Sequence, residues 1–204
     1  MRRLILWGVA LVFVGVVVAV VFVRGSGISA MREPWPLEER VARAGWRFMI
    51  PRETRDAANP VPSTAEVIAD GLEHFADHCA VCHGNDGSGD TAIGRRIFPR
   101  APDMRAAGTQ GLTDGEVFYA IERGIPWTAM PAWGTGTPED AEESWKLVRF
   151  IRHLPALTPQ ELTSMEKLNP KSAGELARDR EIDEFLKGSG PGVAPPKKGG
   201  HVHK

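Results

Sequence analysis

Hydrophobic and polar positions divide the chain unevenly. From Leu4 to Val23 the run LILWGVALVFVGVVVAVVFV carries no charge. At about 1.5 Å per residue, a helix of that length crosses a bilayer core of about 30 Å. Beyond it, apolar residues recur at three- and four-residue steps, the period of amphipathic helices. Leu37, Val41, Ala44 and Phe48 mark a short one, confined by prolines at 34, 36, 51, 60 and 62. Val67, Ile68, Leu72 and Phe75 mark the next, opened by a capping box of Ser63 and Glu66. In TDGEVFYAIERGI the box is Thr113 and Glu116, and Gly124 is the stop. Thr137 and Pro138 open a longer helix, acidic at its start and basic at its end, whose stripe is Trp145, Val148, Ile151 and Leu154. Capping boxes at Thr158 and Ser172 predict helices over 158–168 and 172–186; Leu162 and Met165 form the stripe of the first. No convincing strand pattern and no internal repeat follow the apolar run, so the predicted fold class is all-α.

The tail GSGPGVAPPKKGGHVHK has nothing to bury and is expected to be disordered. The expected organisation is a transmembrane anchor (1–30), a Pro- and charge-rich juxtamembrane stalk (31–62), a helical domain (63–155), a helical extension (156–187) and a disordered tail (188–204). In the stalk, Trp35 and Trp46 can sit at headgroup level or pack on the domain. Arg2 and Arg3 precede the apolar run and only Arg24 closely follows it. The positive-inside rule then puts the N-terminus in the cytoplasm and the rest on the periplasmic side of the inner membrane. A cleaved signal peptide ending near Ala30 is the competing reading; its apolar region would usually be about 7 to 15 residues, shorter than this one.

Composition adds little to this picture. The 204 residues are 42% hydrophobic and 25% charged, ordinary for a globular protein. A formal net charge of −1 with no basic cluster beyond Lys197-Lys198 gives no reason to expect a nucleic-acid partner.

The candidate chemistry lies in HFADHCAVCHGNDGSGD, which holds both cysteines of the chain, Cys79 and Cys82, followed by His83. Four chemistries use a Cys-x-x-Cys pair. A zinc site wants about four ligands, and no second knuckle is present. A redox dithiol normally opens a helix after a strand, and no such frame is visible. A disulfide over two intervening residues closes too small a loop to stabilise much. Cys-x-x-Cys-His is also the covalent attachment site of c-type haem, with two thioethers on the porphyrin and the imidazole on iron. That reading is the expected one: one haem c, attached through Cys79 and Cys82 and ligated by His83.

The sixth iron position needs a second ligand. Of the six methionines, Met1 is the initiator, Met31 and Met49 lie in the stalk, and Met165 completes a helix stripe. Met130, in GIPWTAMPAWG between two helices, can cross to the opposite haem face and is the expected ligand; Met104, in PRAPDMR, belongs to the segment wrapping the His83 side. Arg95, Arg96, Arg100 and Arg105 could reach haem propionates, though surface solvation is the commoner role. Gly84, Gly87 and Gly89 suit a tight turn, without the flanking strand a phosphate loop requires.

Together GLEHFADHCAVCHGNDGSG, APDM, GIPWTAMPAW and SWKLVRFIRHLP resemble a monohaem class I cytochrome c, over about 63–155. The resemblance implies a cytochrome c fold around one covalent haem, with Cys79 and Cys82 as attachments, His83 as proximal ligand and Met130 as distal ligand. It implies that Gly71 and Phe75 let the first domain helix cross the last closely, against Trp145, Val148, Arg149 and Phe150. It also implies a proline carbonyl that fixes His83, either Pro99 or Pro102. The function expected is one-electron transfer by a non-enzymatic, membrane-tethered carrier, with membrane or periplasmic redox proteins as partners. Two other readings remain: a cytochrome subunit of a multi-subunit dehydrogenase, oxidase or reductase docked through the helices after Pro155, or a sensor or metal-handling protein using a labile Met130 or the His201/His203 tail.

Overall fold

The computed structural model describes residues 2–27, 29–171 and 173–186; the predicted tail, His201, His203 and the Ser172 cap lie outside them. Within the described residues all regular elements are helical, without strands. The elements are α1 (Arg2–Ser26), α2 (Pro36–Met49), α3 (Arg52–Arg55), α4 (Ala65–His74), a π-helical turn (Phe75–Cys79), α5 (Ala80–His83), α6 (Ala107–Gln110), α7 (Asp114–Arg123), α8 (Pro138–His153), a 3₁₀ turn (Leu154–Ala156), α9 (Pro159–Leu168) and α10 (Ala173–Leu186). Helix α1 is long and apolar enough to cross a membrane, and none of its apolar window is buried against protein.

The core forms where α4 crosses α8. Leu72, Phe75 and Ala76 pack with Val148, Phe150 and Ile151, and Val117 and Ile121 of α7 close the third side. Gly71 sets the distance: a Cβ there would lie 2.6 Å from the Lys146 carbonyl oxygen and 2.8 Å from the Phe150 Cβ. The Phe75 and Phe150 rings meet beside it, centroids 5.1 Å apart. The face that meets Gly71 is thus Lys146 and Phe150, one step round from Trp145 and Arg149. The α8 stripe of Trp145, Val148, Ile151 and Leu154 is buried as its period requires, and Ser144, Leu147 and Phe150 are buried with it, because neighbours cover the helix on more than one side.

The predicted caps hold at Thr113, Thr137 and Thr158, whose hydroxyls accept from the N–H of Glu116, Asp140 and Glu161. At α4 the cap is Thr64, one residue after the expected Ser63, and it accepts from the Val67 N–H. Helix α9 adds the fully buried Met165 to the core. His153 Nε2 and Glu161 Oε1, 2.9 Å apart, tie it to α8. Burial acts to raise the Glu161 pKa, but the Thr158 backbone and hydroxyl and His153 outweigh it and hold the carboxyl below the usual range. A carboxyl with a lowered folded-state pKa stabilises the fold above its unfolded pKa of about 4.3, and that contribution disappears as pH falls through the folded value. Glu161→Gln is therefore expected to flatten the acid limb of a stability-versus-pH curve, measured by denaturant unfolding between pH 6 and 3.

Residues 43–62 are bonded to the helical domain at many points. Arg47 makes a two-pronged pair with the fully buried Glu116, at 2.7 and 3.1 Å, and Arg43 donates to the Gly108 carbonyl at 2.9 Å. Asn59 donates to the Trp145 carbonyl, while Arg149 donates to the carbonyls of Val61 and Asn59. Trp46 is half-buried, whereas Trp35 is exposed. Arg47→Ala leaves Glu116 buried without its cation. Because the Arg47 side chain is 45% exposed, the expected loss is about 1–3 kcal/mol, below that of a fully buried pair. Guanidinium unfolding checks it, with Arg47→Lys recovering part of the loss.

Candidate cofactor-binding site

The cysteine motif sits where the helix changes gauge. After α4 the chain widens into the π turn, in which the Ala80 N–H donates to the Phe75 carbonyl. Such one-turn insertions occur mostly at functional positions. Phe75 and Ala76 are fully buried and fix the turn, so Cys79 leaves its end at a set angle. α5 then carries Cys82 and His83 and stops at Gly84, whose φ of 75° only glycine adopts readily.

Both thiols are free. Burial, with Cys82 adding to it, pushes the Cys79 thiol up to about 12, and burial also raises Cys82. A redox dithiol needs the opposite, a depressed pKa that yields thiolate at neutral pH. Among the described residues, no group of three His, Cys, Asp or Glu side chains forms a metal cluster. His83 is pulled toward its neutral form by burial, opposed by the Pro102 backbone. Neutral imidazole is the form that ligates metal. Its Nδ1 is buried, and no protein atom meets it at full hydrogen-bond geometry. Of the two prolines the sequence left open, Pro102 is the one that acts on the ring.

The segment 84–105 folds back under the motif. The Gly89 N–H donates to the His83 carbonyl at 2.7 Å, and the Thr91 hydroxyl meets the carbonyls of Val81 and Cys82 at 3.0 and 3.1 Å. The Met104 N–H donates to the Gly87 carbonyl at 2.8 Å, and its side chain packs against the core. The arginines of this region are engaged locally: Arg95 with Asp90, Arg96 with the Ala92 carbonyl, Arg100 with Glu33, and Arg105 with Asp86 and Asp103.

Met130 lies in the loop from Gly124 to Gly136, which is bonded both to itself and to α7. Ile125 N–H donates to the Met130 carbonyl, the Met130 N–H donates to the Thr128 hydroxyl, and the Thr128 hydroxyl donates to the Ile125 carbonyl. Trp133 and Gly134 donate to the carbonyls of Ile121 and Glu122. Trp127 takes φ 59°, a left-handed conformation that costs a non-glycine residue free energy and persists only where surrounding bonds enforce it. The Trp133 ring meets His78 edge-on, centroids 5.4 Å apart, so the methionine loop touches the helix that delivers Cys79. Buried Glu122, beneath the loop, accepts from the Ser144 hydroxyl at 2.6 Å. Neither Glu122 nor Ser144 carries a signal in the sequence, since a polar residue on an amphipathic helix normally faces water; only the packing of Gly134 onto Glu122 reveals its role.

Residues 66–151 match the family described as cytochrome c oxidase, cbb3-type, subunit III. The chain carries a class I c-type cytochrome domain. A thiosulfate dehydrogenase from Stutzerimonas stutzeri (strain A1501) is 48% identical over 40 residues, which cover 20% of this chain and 13% of that protein. The cytochrome domain's cofactor is covalent haem c and its chemistry is haem-based electron transfer. The residues fit that group: two free thiols and a buried imidazole stand within one turn and a half of helix.

Proposed function

We propose that the protein is a membrane-tethered electron carrier whose single haem c would be attached through Cys79 and Cys82, with His83 and Met130 holding its iron. In this reading α1 is the tether, and Arg2 and Arg3 ahead of it favour the outer side of the inner membrane for the domain; the domain spans 63–155, with 31–62 as its stalk and 156–187 as an extension. The observation that carries the ligand assignment is the fate of the three methionines that follow the stalk. Met165 is fully buried, Met104 packs against the core, and Met130 stands outside that core in a bonded loop.

Haem c held there supplies one-electron exchange between ferric and ferrous iron. The chain provides a buried imidazole beside the Pro102 backbone and a thioether on a loop bonded to itself and to α7. Both ligands suit either oxidation state, so little rearrangement accompanies electron gain or loss. Confinement by α1 raises the effective concentration near membrane complexes, so docking need not be tight. The decisive measurement is a reduced-minus-oxidised spectrum of the purified protein, with carbon monoxide added to the reduced form. A methionine-to-iron charge-transfer band in the oxidised state and slow carbon monoxide binding are expected; rapid binding overturns closed six-coordination.

The family description and the thiosulfate dehydrogenase similarity favour a second reading, in which this chain is the cytochrome subunit of a larger redox enzyme. Thiosulfate added to the oxidised protein tests for dehydrogenase activity in this chain itself: a carrier, or a subunit whose catalytic centre lies on another chain, stays oxidised. Co-purification of other chains after gentle detergent extraction identifies a subunit.

A further inference from the structure

Helix α2 is mounted with its polar side toward the protein. Amphipathic helices of soluble domains bury the apolar stripe and expose the charged one. Here Arg43 and Arg47 reach the domain, at the Gly108 carbonyl and Glu116, and Ile50, just past the helix end, is buried. The opposite stripe of Leu37, Val41, Ala44 and Phe48, at i, i+4, i+7 and i+11, looks away from the domain. Leu37 is 72%, Val41 64% and Phe48 88% exposed, and no residue of α2 is buried.

We propose that this stripe is a membrane-surface docking face, inserted in the lipid interface so that α2 holds the cytochrome domain in one orientation against the bilayer. The inference rests on the tether reading for its starting point, since α1 ends at Ser26 and residues 27–35 leave α2 beside the bilayer surface. Exposed Trp35 stands at the head of α2, its ring 5.9 Å from that of Phe22 in α1, and interfacial tryptophans favour this depth. Charge is compatible with anionic headgroups. Glu38 is paired with Arg32 and Glu39 with Arg43, and α2 carries three arginines against those two glutamates. An apolar face with exposed Arg40 beside it, on a helix joined to a spanning segment, has the pattern of an interfacial helix. The Arg43 and Arg47 bonds then carry the helix's orientation into the domain.

The test uses the full-length haem protein in nanodiscs of phosphatidylcholine and phosphatidylglycerol. Spin labels are placed one at a time at V41C, F48C, E66C and V12C, all at exposed positions where the fold is undisturbed. Depth is read from oxygen and nickel-chelate collision in the reduced protein. The labels at 41 and 48 are expected about 5–10 Å below the headgroup surface, the label at 12 deeper, and the label at 66 in water. Labels at 41 and 48 that match 66, with 12 immersed, overturn the docking face and leave the tether. Labels at 41 and 48 immersed with 12 in water keep the docking face and remove the tether. Both sets in water overturn both. Low collision with both probes, with spin–spin broadening that grows with protein per disc, identifies a second copy as the occupant and overturns the lipid assignment.

Discussion

Met130→Ala is expected to give a haem-loaded protein that has lost the methionine-to-iron charge-transfer band, binds carbon monoxide rapidly when reduced, and has a lower reduction potential. The drop should be on the order of 0.1 V or more, a modest part of the roughly 0.8 V over which axial ligands tune haem iron. Folding should be little disturbed, because Met130 is outside the core and the loop's bonds run through backbone groups and the Thr128 hydroxyl, which the substitution leaves in place. The controls separate ligand from core. Met165→Ala removes a fully buried side chain and should cost about 2–5 kcal/mol with the spectrum intact. Met104→Ala should cost less, since Met104 is only partly buried, and should also keep the band. A band that survives Met130→Ala and disappears in Met104→Ala reverses the assignment. Potentiometric titration of the three variants beside the parent gives the comparison.

What the sequence made legible follows from how each signal is encoded. The Cys79-Cys82-His83 spacing is a local fact about one turn of chain, and the caps at Thr113, Thr137 and Thr158 are local in the same way. The α8 stripe was readable because a long helix repeats its pattern. The π turn was not, since Phe75–Cys79 has ordinary helical composition and the widening comes from packing Phe75 and Ala76 into the core. Thr64 displaced Ser63 as the cap because two adjacent hydroxyl residues offer the same chemistry and entry geometry chooses between them. Pro102 and Pro99 were equivalent on paper, and the fold of 84–105 beneath His83 separates them. Most instructive is α2. Its period was visible, but a period says only that two faces differ, and the Arg47–Glu116 pair, linking residues far apart in sequence, reverses which face meets the domain.

A pair of glycine substitutions is expected to change stability in opposite directions. Gly45→Ala places a methyl in open space within α2, where nothing lies within 4 Å of the added carbon. It should stabilise by about 0.5–1 kcal/mol, because alanine loses less backbone freedom in a helix. Gly71→Ala carries the same propensity gain in α4, yet its methyl meets the Lys146 carbonyl oxygen at 2.6 Å and the Phe150 Cβ at 2.8 Å. Neither is the end of a flexible side chain, so α4 and α8 must separate. Overpacking of this kind costs about 1–3 kcal/mol. For a domain of this size that lowers the melting midpoint by roughly 5–15 °C. Separation also loosens the Phe75–Phe150 contact, and Phe75 is the first residue of the turn that delivers Cys79. The loss should therefore register at the cofactor as well as in circular dichroism, as a broadened or shifted Soret band at temperatures where Gly45→Ala shows none. Equal midpoints for the two variants would mean that the α4–α8 crossing is looser than Gly71 implies, and that the geometry of the cysteine motif is set by the 84–105 segment instead.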